Sequence, residues 1–162
     1  MVWDDTLIDV IPFLIEMWQS SGETRYLEEA VKQVQLHAAH LQDPATGLYH
    51  HAWSEPANAL SGPFFWGRGN GWVLLSQAKL LAALPADDTR RPALAAAFQR
   101  QAAALVERQA ANGMWHTVVS RSDFYVETSA TALIAAGLAS GVAQGLLDAT
   151  AARAAADGAV AV

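Results

Sequence analysis

TGLYHH, residues 46–51, returns as NGMWHT at residues 112–117. Both stretches set a glycine, an apolar residue, an aromatic and a histidine in one order, and Gly47 and Gly113 lie 66 residues apart. A fixed period of that size holds two helices with their connections and marks a repeat architecture. Outward from the two tips, apolar periodicity predicts six helices. The first runs from Asp5 to about Gln19. The second is capped by Thr24 and ends near Gln42. The third runs from about Asn70 to before Pro85, and the fourth from about Pro92 to Ala110. The fifth opens near Thr128 and the sixth follows Gly141. Odd helices are apolar nearly all round. The second is amphipathic, with Tyr26, Leu27, Ala30, Val31, Val34 and Leu41 on one face and Glu28, Glu29, Lys32 and Gln35 on the other. That alternation predicts an all-α fold of helical hairpins, with odd helices inside and even helices outside.

Composition narrows the function. The chain has 162 residues, 52% of them hydrophobic and 16% charged, enough for one domain with a core. Its formal charge of −6 and the lack of any basic run argue against nucleic acid as a partner. Cysteine is absent, which excludes disulfides and thiolate metal sites. No basic region precedes the first apolar run, so a cytoplasmic location is the expectation. The chain also opens directly on a helix, which suggests a piece of a longer protein. Residues 128–147 carry no charge, and Gly137, Gly141 and Gly145 are spaced four apart, a pattern that raises a membrane span. Thr128, Ser129, Thr131, Ser140 and Gln144 dilute it. Two short helices broken near Gly141 are expected instead, with no membrane.

Chemistry gathers at the leading ends of the odd helices, which read WDDT (3–6), WGRGNGW (66–72) and YVETSAT (125–131). Long loops feed these ends, as expected of a pocket rim. Trp3, Tyr49, Trp53, Phe64, Phe65, Trp66, Trp72 and Trp115 are candidate rim aromatics, and Trp18 is read as core. Arg68 is a planar, permanently charged fork suited to a carboxylate, and Gly67 and Gly69 let the backbone approach a ligand. An ion pair with Glu127 or Glu55 is the competing role. Asp4 and Asp5 cap the first helix or form a mutually repelling pair, one of which keeps a proton near neutral pH. Glu127 is a rival acid. His50, His51 and His116 fall in rim loops. A hydrogen-bonding role is expected for His51, a core-edge position for His37 and a solvated one for His40. No metal-ligand spacing, dinucleotide fingerprint, phosphate loop or nucleophile elbow is present.

Five stretches, VWDDTLIDVIPFL (2–14), DPATGLYHHAW (43–53), FWGRGNGWVLL (65–75), GMWHTVV (113–119) and YVETSATAL (125–133), resemble in order the motifs of the unsaturated rhamnogalacturonyl hydrolases, glycoside hydrolase family 105. The resemblance runs from Trp3 to about Ala136. It implies a partial (α/α)6 barrel, about six of twelve helices, so that residues 1–162 are expected to be a fragment of a single catalytic domain. An isolated fragment of that kind lacks part of its pocket and can be inactive. It implies a substrate, the 4,5-unsaturated galacturonyl-rhamnose disaccharides of pectin degradation, and a reaction, hydration of the double bond by an aspartic acid with no metal or organic cofactor. Matched by position, Asp5 is the implied catalytic residue and Asp4 the less favoured neighbour. Trp3, His51, Trp66, Arg68, Asn70 and Trp72 match substrate-binding positions. Three alternatives stay open: an unsaturated glucuronyl hydrolase acting on glycosaminoglycan-type substrates, a non-catalytic carbohydrate-binding toroid in which Asp5 is only a cap, and a membrane or oligomerisation module on residues 128–147.

Overall fold

The computed structural model describes residues 1–160. Six helices form three hairpins: α1 (Thr6–Ser21) with α2 (Thr24–Leu41), α3 (Gly67–Ala83) with α4 (Arg91–Val106), and α5 (Thr128–Ala143) with α6 (Ala149–Val160). Helix α3 packs between α1 and α5, giving an inner row α1–α3–α5, while α2, α4 and α6 line up behind it. The alternation of apolar and amphipathic helices reflects these two rows, since an inner helix has neighbours on more sides than an outer one.

Close packing along the inner row depends on small residues. A Cβ on Gly71 would stand 2.7 Å from Leu133 Cβ, and one on Gly137 would stand 2.7 Å from Leu74 Cδ2. Gly141 is pressed in the same way against the Phe98 ring. Two of the three glycines of the uncharged segment therefore serve helix packing. The third, Gly145, has φ 68° and turns the chain after α5. The helix break falls there and not near Gly141, and no helix among the described residues is long and apolar enough to cross a membrane.

Beside the six helices of this all-α frame, β1 (Val2–Trp3), β2 (Ala52–Ser54) and β3 (Ala59–Leu60) form a small antiparallel sheet, in which Trp3 pairs with Ala52 and Trp53 with Leu60. The segment leading into α1 is thereby tied to the loop after the first tip. Helix α2 begins at Thr24, with Glu23 before it as the cap position. Helix α3 starts at Gly67, three residues before the expected start near Asn70, so GRGN is its first turn. Only α3 is enclosed on most sides; Phe13, on the outer flank of α1, is 59% exposed.

The repeat is structural. Gly47 (φ 79°) and Gly113 (φ 82°) both take the left-handed conformation that favours glycine. The aromatics that follow by two, Tyr49 and Trp115, are both completely buried. Each has its backbone N–H held by a side chain from the first turn of the next inner helix: Tyr49 by Asn70 Oδ1 at 2.8 Å, and Trp115 by Thr131 Oγ1 at 3.0 Å.

Candidate active site

The repeat fixes where the leading ends of the inner helices sit. The Asp4 N–H donates to the His51 carbonyl at 2.9 Å, and the Gly67 N–H donates to the Thr117 carbonyl at 2.7 Å. His51 and Thr117 occupy the same place in the two tips, so Asp4 and Gly67 are equivalent. Trp3 is then equivalent to Trp66, and Asp5 to Arg68. The ends of α1 and α3 accordingly face one rim.

Rings join across that rim. His51 stands edge-on between Trp3, at 5.0 Å between ring centroids, and Trp66, at 4.9 Å; Trp66 in turn meets Trp72 at 5.1 Å. The Arg68 guanidinium lies 4.2 Å over the Trp66 ring, in cation–π geometry, and its Nη1 is paired with Glu127 Oε1 at the start of α5. No other guanidinium nitrogen of Arg68 makes a hydrogen bond to the described residues. Trp3, His51, Trp66, Arg68 and Trp72 are all partly or well exposed. Together they form a shallow aromatic cup with one fixed cation.

The two aspartates diverge. Asp4 is fully buried, with Oδ1 2.7 Å from His51 Nδ1 and no hydrogen-bond partner for Oδ2. Burial pushes its carboxyl up to about 7; His51 pulls it down, and the charge of Asp5 raises it again. Asp5 is half-buried. It stands at the N-cap of α1, but its side chain makes no capping hydrogen bond, so its carboxyl is not consumed by the helix. The third carboxylate, Glu127, is also nearly buried. Burial would raise its carboxyl, yet the hydroxyls of Ser129 and Thr117 and the Arg68 guanidinium outweigh that and hold it below its usual range. An ionised Glu127 paired with Arg68 is a poor proton donor.

Several sequence expectations change. Asn70 does not line the cup. It is fully buried; Oδ1 takes the Tyr49 N–H, and Nδ2 donates to the carbonyls of Tyr49 at 2.9 Å and Trp66 at 3.0 Å. Its amide is saturated by backbone, so it shapes the rim from behind. Tyr49, Trp115 and Phe65 also leave the rim list, because all three are buried in the core. His40 is not merely solvated; it stacks on Trp53 at 4.2 Å. His37 is a core-edge histidine, with ring nitrogens on the carbonyls of Gln33 and Trp3. Of the two partners considered for Arg68, Glu127 is the one observed.

Comparisons with known proteins bear on the family and the fold. The sequence profile of Glycosyl Hydrolase Family 88 matches residues 1–162. The chain is 39% identical over 142 residues to the unsaturated rhamnogalacturonyl hydrolase YesR of Bacillus subtilis (strain 168), covering 85% of this chain and 40% of that protein. It is 30% identical over 156 residues to an unsaturated 3S-rhamnoglycuronyl hydrolase of Formosa agariphila, covering 90% of this chain and 41% of that protein. A solved structure from Salmonella enterica, described as a possible member of the GH105 family, superposes with a TM-score of 0.93 at 32% identity, over 98% of this chain and 42% of that one. The chain thus spans about two fifths of the length of these relatives. A profile match over the whole sequence, together with six helices laid out as in a GH105 structure, shows that the chain belongs to Glycosyl Hydrolase Family 88.

Proposed function

We propose that the cup binds the unsaturated uronyl end of an oligosaccharide, of the galacturonyl-rhamnose type, and hydrolyses it by hydrating the 4,5 double bond. Residues 1–162 would form part of one catalytic domain. The observation that carries this reading is the arrangement of Arg68. It is a fixed cation with uncommitted nitrogens, held over the Trp66 ring one hairpin away from the aspartates at the head of α1. A sugar acid offers a carboxylate for the guanidinium and apolar ring faces for Trp3, Trp66 and Trp72. The activities named for the relatives, on unsaturated rhamnogalacturonyl and rhamnoglycuronyl groups, support the same class of substrate.

Asp5 is the proposed proton carrier. A general acid has to touch its substrate; Asp4 is sealed away and Glu127 is neutralised by Arg68, which leaves Asp5 as the accessible carboxyl. The Asp5 carboxyl gives its proton to C4, and positive charge develops at C5, shared with the ring oxygen. Water bonds to C5 and passes a proton back to the Asp5 carboxylate, which restores the acid. The C5–ring-oxygen bond of the resulting hemiketal breaks, and the hemiacetal left at C1 expels the partner sugar. One water is consumed and one glycosidic bond is lost, with a single carboxyl in place of the usual flanking pair.

Loss of the ultraviolet absorbance of the conjugated double bond follows the first step directly. A full-length protein carrying residues 1–162 is expected to bleach an unsaturated galacturonyl-rhamnose disaccharide and, in heavy water, to leave one deuterium at C4. Equal cleavage of the saturated disaccharide, or a product without deuterium at C4, would contradict the reading.

A further inference from the structure

We propose that Asp4 and His51 form a proton-sharing pair that decides whether the cup offers its ligand a hydrogen-bond donor or an acceptor, Asp4 acting as a positioning residue through the ring. The proposal rests on the reading of the cup as a sugar-acid site only for the identity of the ligand.

The pair is built into the scaffold. At the position equivalent to Asp4, the second hairpin carries Gly67, where a Cβ would stand 2.6 Å from the His116 carbonyl. Room for a carboxylate at Asp4 comes from Gly69, since a Cβ there would collide with the Asp4 carboxyl. From that niche Oδ1 holds His51 Nδ1 at 2.7 Å. Trp3 and Trp66 wedge the ring from both sides, so its orientation is fixed. The second ring nitrogen, Nε2, makes no hydrogen bond to the described residues, and the side chain is 32% exposed.

Counting protons gives the consequence. When the pair holds two protons, Nε2 carries one of them, whether the other is on Asp4 or on Nδ1. When the pair holds one, the ionised Asp4 keeps it on Nδ1 and Nε2 presents a bare lone pair. The change falls near neutrality because burial holds the Asp4 carboxyl up at about 7. The charges facing the pair are few. Asp5 on α1 disfavours a second negative charge, and His37 on α2 backs the Trp3 carbonyl at 3.0 Å. Helix α3 offers Gly69 there, and its Arg68 is turned onto Trp66 and Glu127. Below neutral pH the cup therefore donates from Nε2 to an oxygen of the anionic sugar, and above it the lone pair repels that oxygen.

Long-range proton–nitrogen spectra of protein with nitrogen-15 histidine test the pair without turnover. Above neutral pH, neutral His51 is expected as the Nδ1–H tautomer, with Nε2 bare. Asp4→Val, which removes the acceptor, should shift the neutral ring to the Nε2–H tautomer. An Nε2–H tautomer in the unsubstituted protein at about pH 8, or an Nδ1–H tautomer retained in Asp4→Val, would overturn the proposal. With unsaturated uronyl substrate, KM should rise on the order of tenfold between about pH 6 and about pH 8, with kcat moving less, and Asp4→Val should lose that dependence. Tautomer changes as described, in a protein that bleaches no such substrate, would still support the pair and would count against the substrate reading alone.

Discussion

The tip at residues 46–51 and the tip at 112–117 share a backbone and differ in what they display. In both, a left-handed glycine turns the chain, an aromatic two residues later is sealed in the core, and a polar side chain from the next inner helix holds its N–H. Beyond that scaffold the tips part. The first ends in His51, the second in Thr117. The helix heads they support carry Trp3, Asp4 and Asp5 on one hairpin and Trp66, Gly67 and Arg68 on the next. One buried frame was thus repeated, and its rim positions were fitted separately with an acid and a cation. Scaffold changes should cost stability, and rim changes should cost binding or turnover.

The sharpest test of that division is a pair of tryptophans. Trp115 is fully buried and donates from Nε1 to the Leu105 carbonyl at 2.7 Å. Trp115→Ala is expected to cost about 4 kcal/mol in urea unfolding. Trp3→Ala, on the rim, should move stability far less while weakening sugar binding. Equal losses of stability would erase the distinction between frame and rim.

Asp4 should show the next largest effect, because it is a rim residue drawn into the frame. Its folded carboxyl keeps a proton to about 7, against 3.8 in the unfolded chain. The folded state therefore binds more protons between those values, and stability falls as pH rises through that window, then levels off. Asp4→Asn abolishes this term. Relative to the unsubstituted protein it should gain stability with rising pH, on the order of 3 kcal/mol at about pH 8, and almost nothing at about pH 4. Parallel denaturation midpoints across that range would break the account of Asp4. The smallest effect expected is at Arg68: Arg68→Ala should weaken an unsaturated uronyl disaccharide about tenfold while leaving neutral sugars unchanged. Equal weakening of both would remove its carboxylate role.

Helix number, the two rows and the repeat were legible because they rest on periodicity and on glycines with a backbone reason. The aromatic and charged rim was also visible in outline at WDDT and WGRGNGW. Side-chain direction within one turn was not. Asn70 and Arg68 are two residues apart in the first turn of α3, yet one faces the core and the other the cup. A signal was nevertheless available, because Asn70 stands to Tyr49 as Thr131 stands to Trp115, and a shared frame position argues for a shared structural role. The sequence places the start of α3 near Asn70, since three glycines in five residues penalise a helix. Packing overrides that penalty here, as the His116 carbonyl leaves no room for a side chain at Gly67 and Leu133 of α5 leaves none at Gly71.

The central claim is that the half-exposed Asp5, and not its buried neighbour, hands a proton to a sugar held in the cup. Asp5→Asn, followed side by side with the unsubstituted protein by ultraviolet bleaching of an unsaturated galacturonyl-rhamnose disaccharide and by calorimetric binding of the same sugar, measures this most directly. The account predicts a fall in kcat of about a thousandfold or more with affinity retained. An Asp5→Asn protein that bleaches the substrate at an undiminished rate would contradict it.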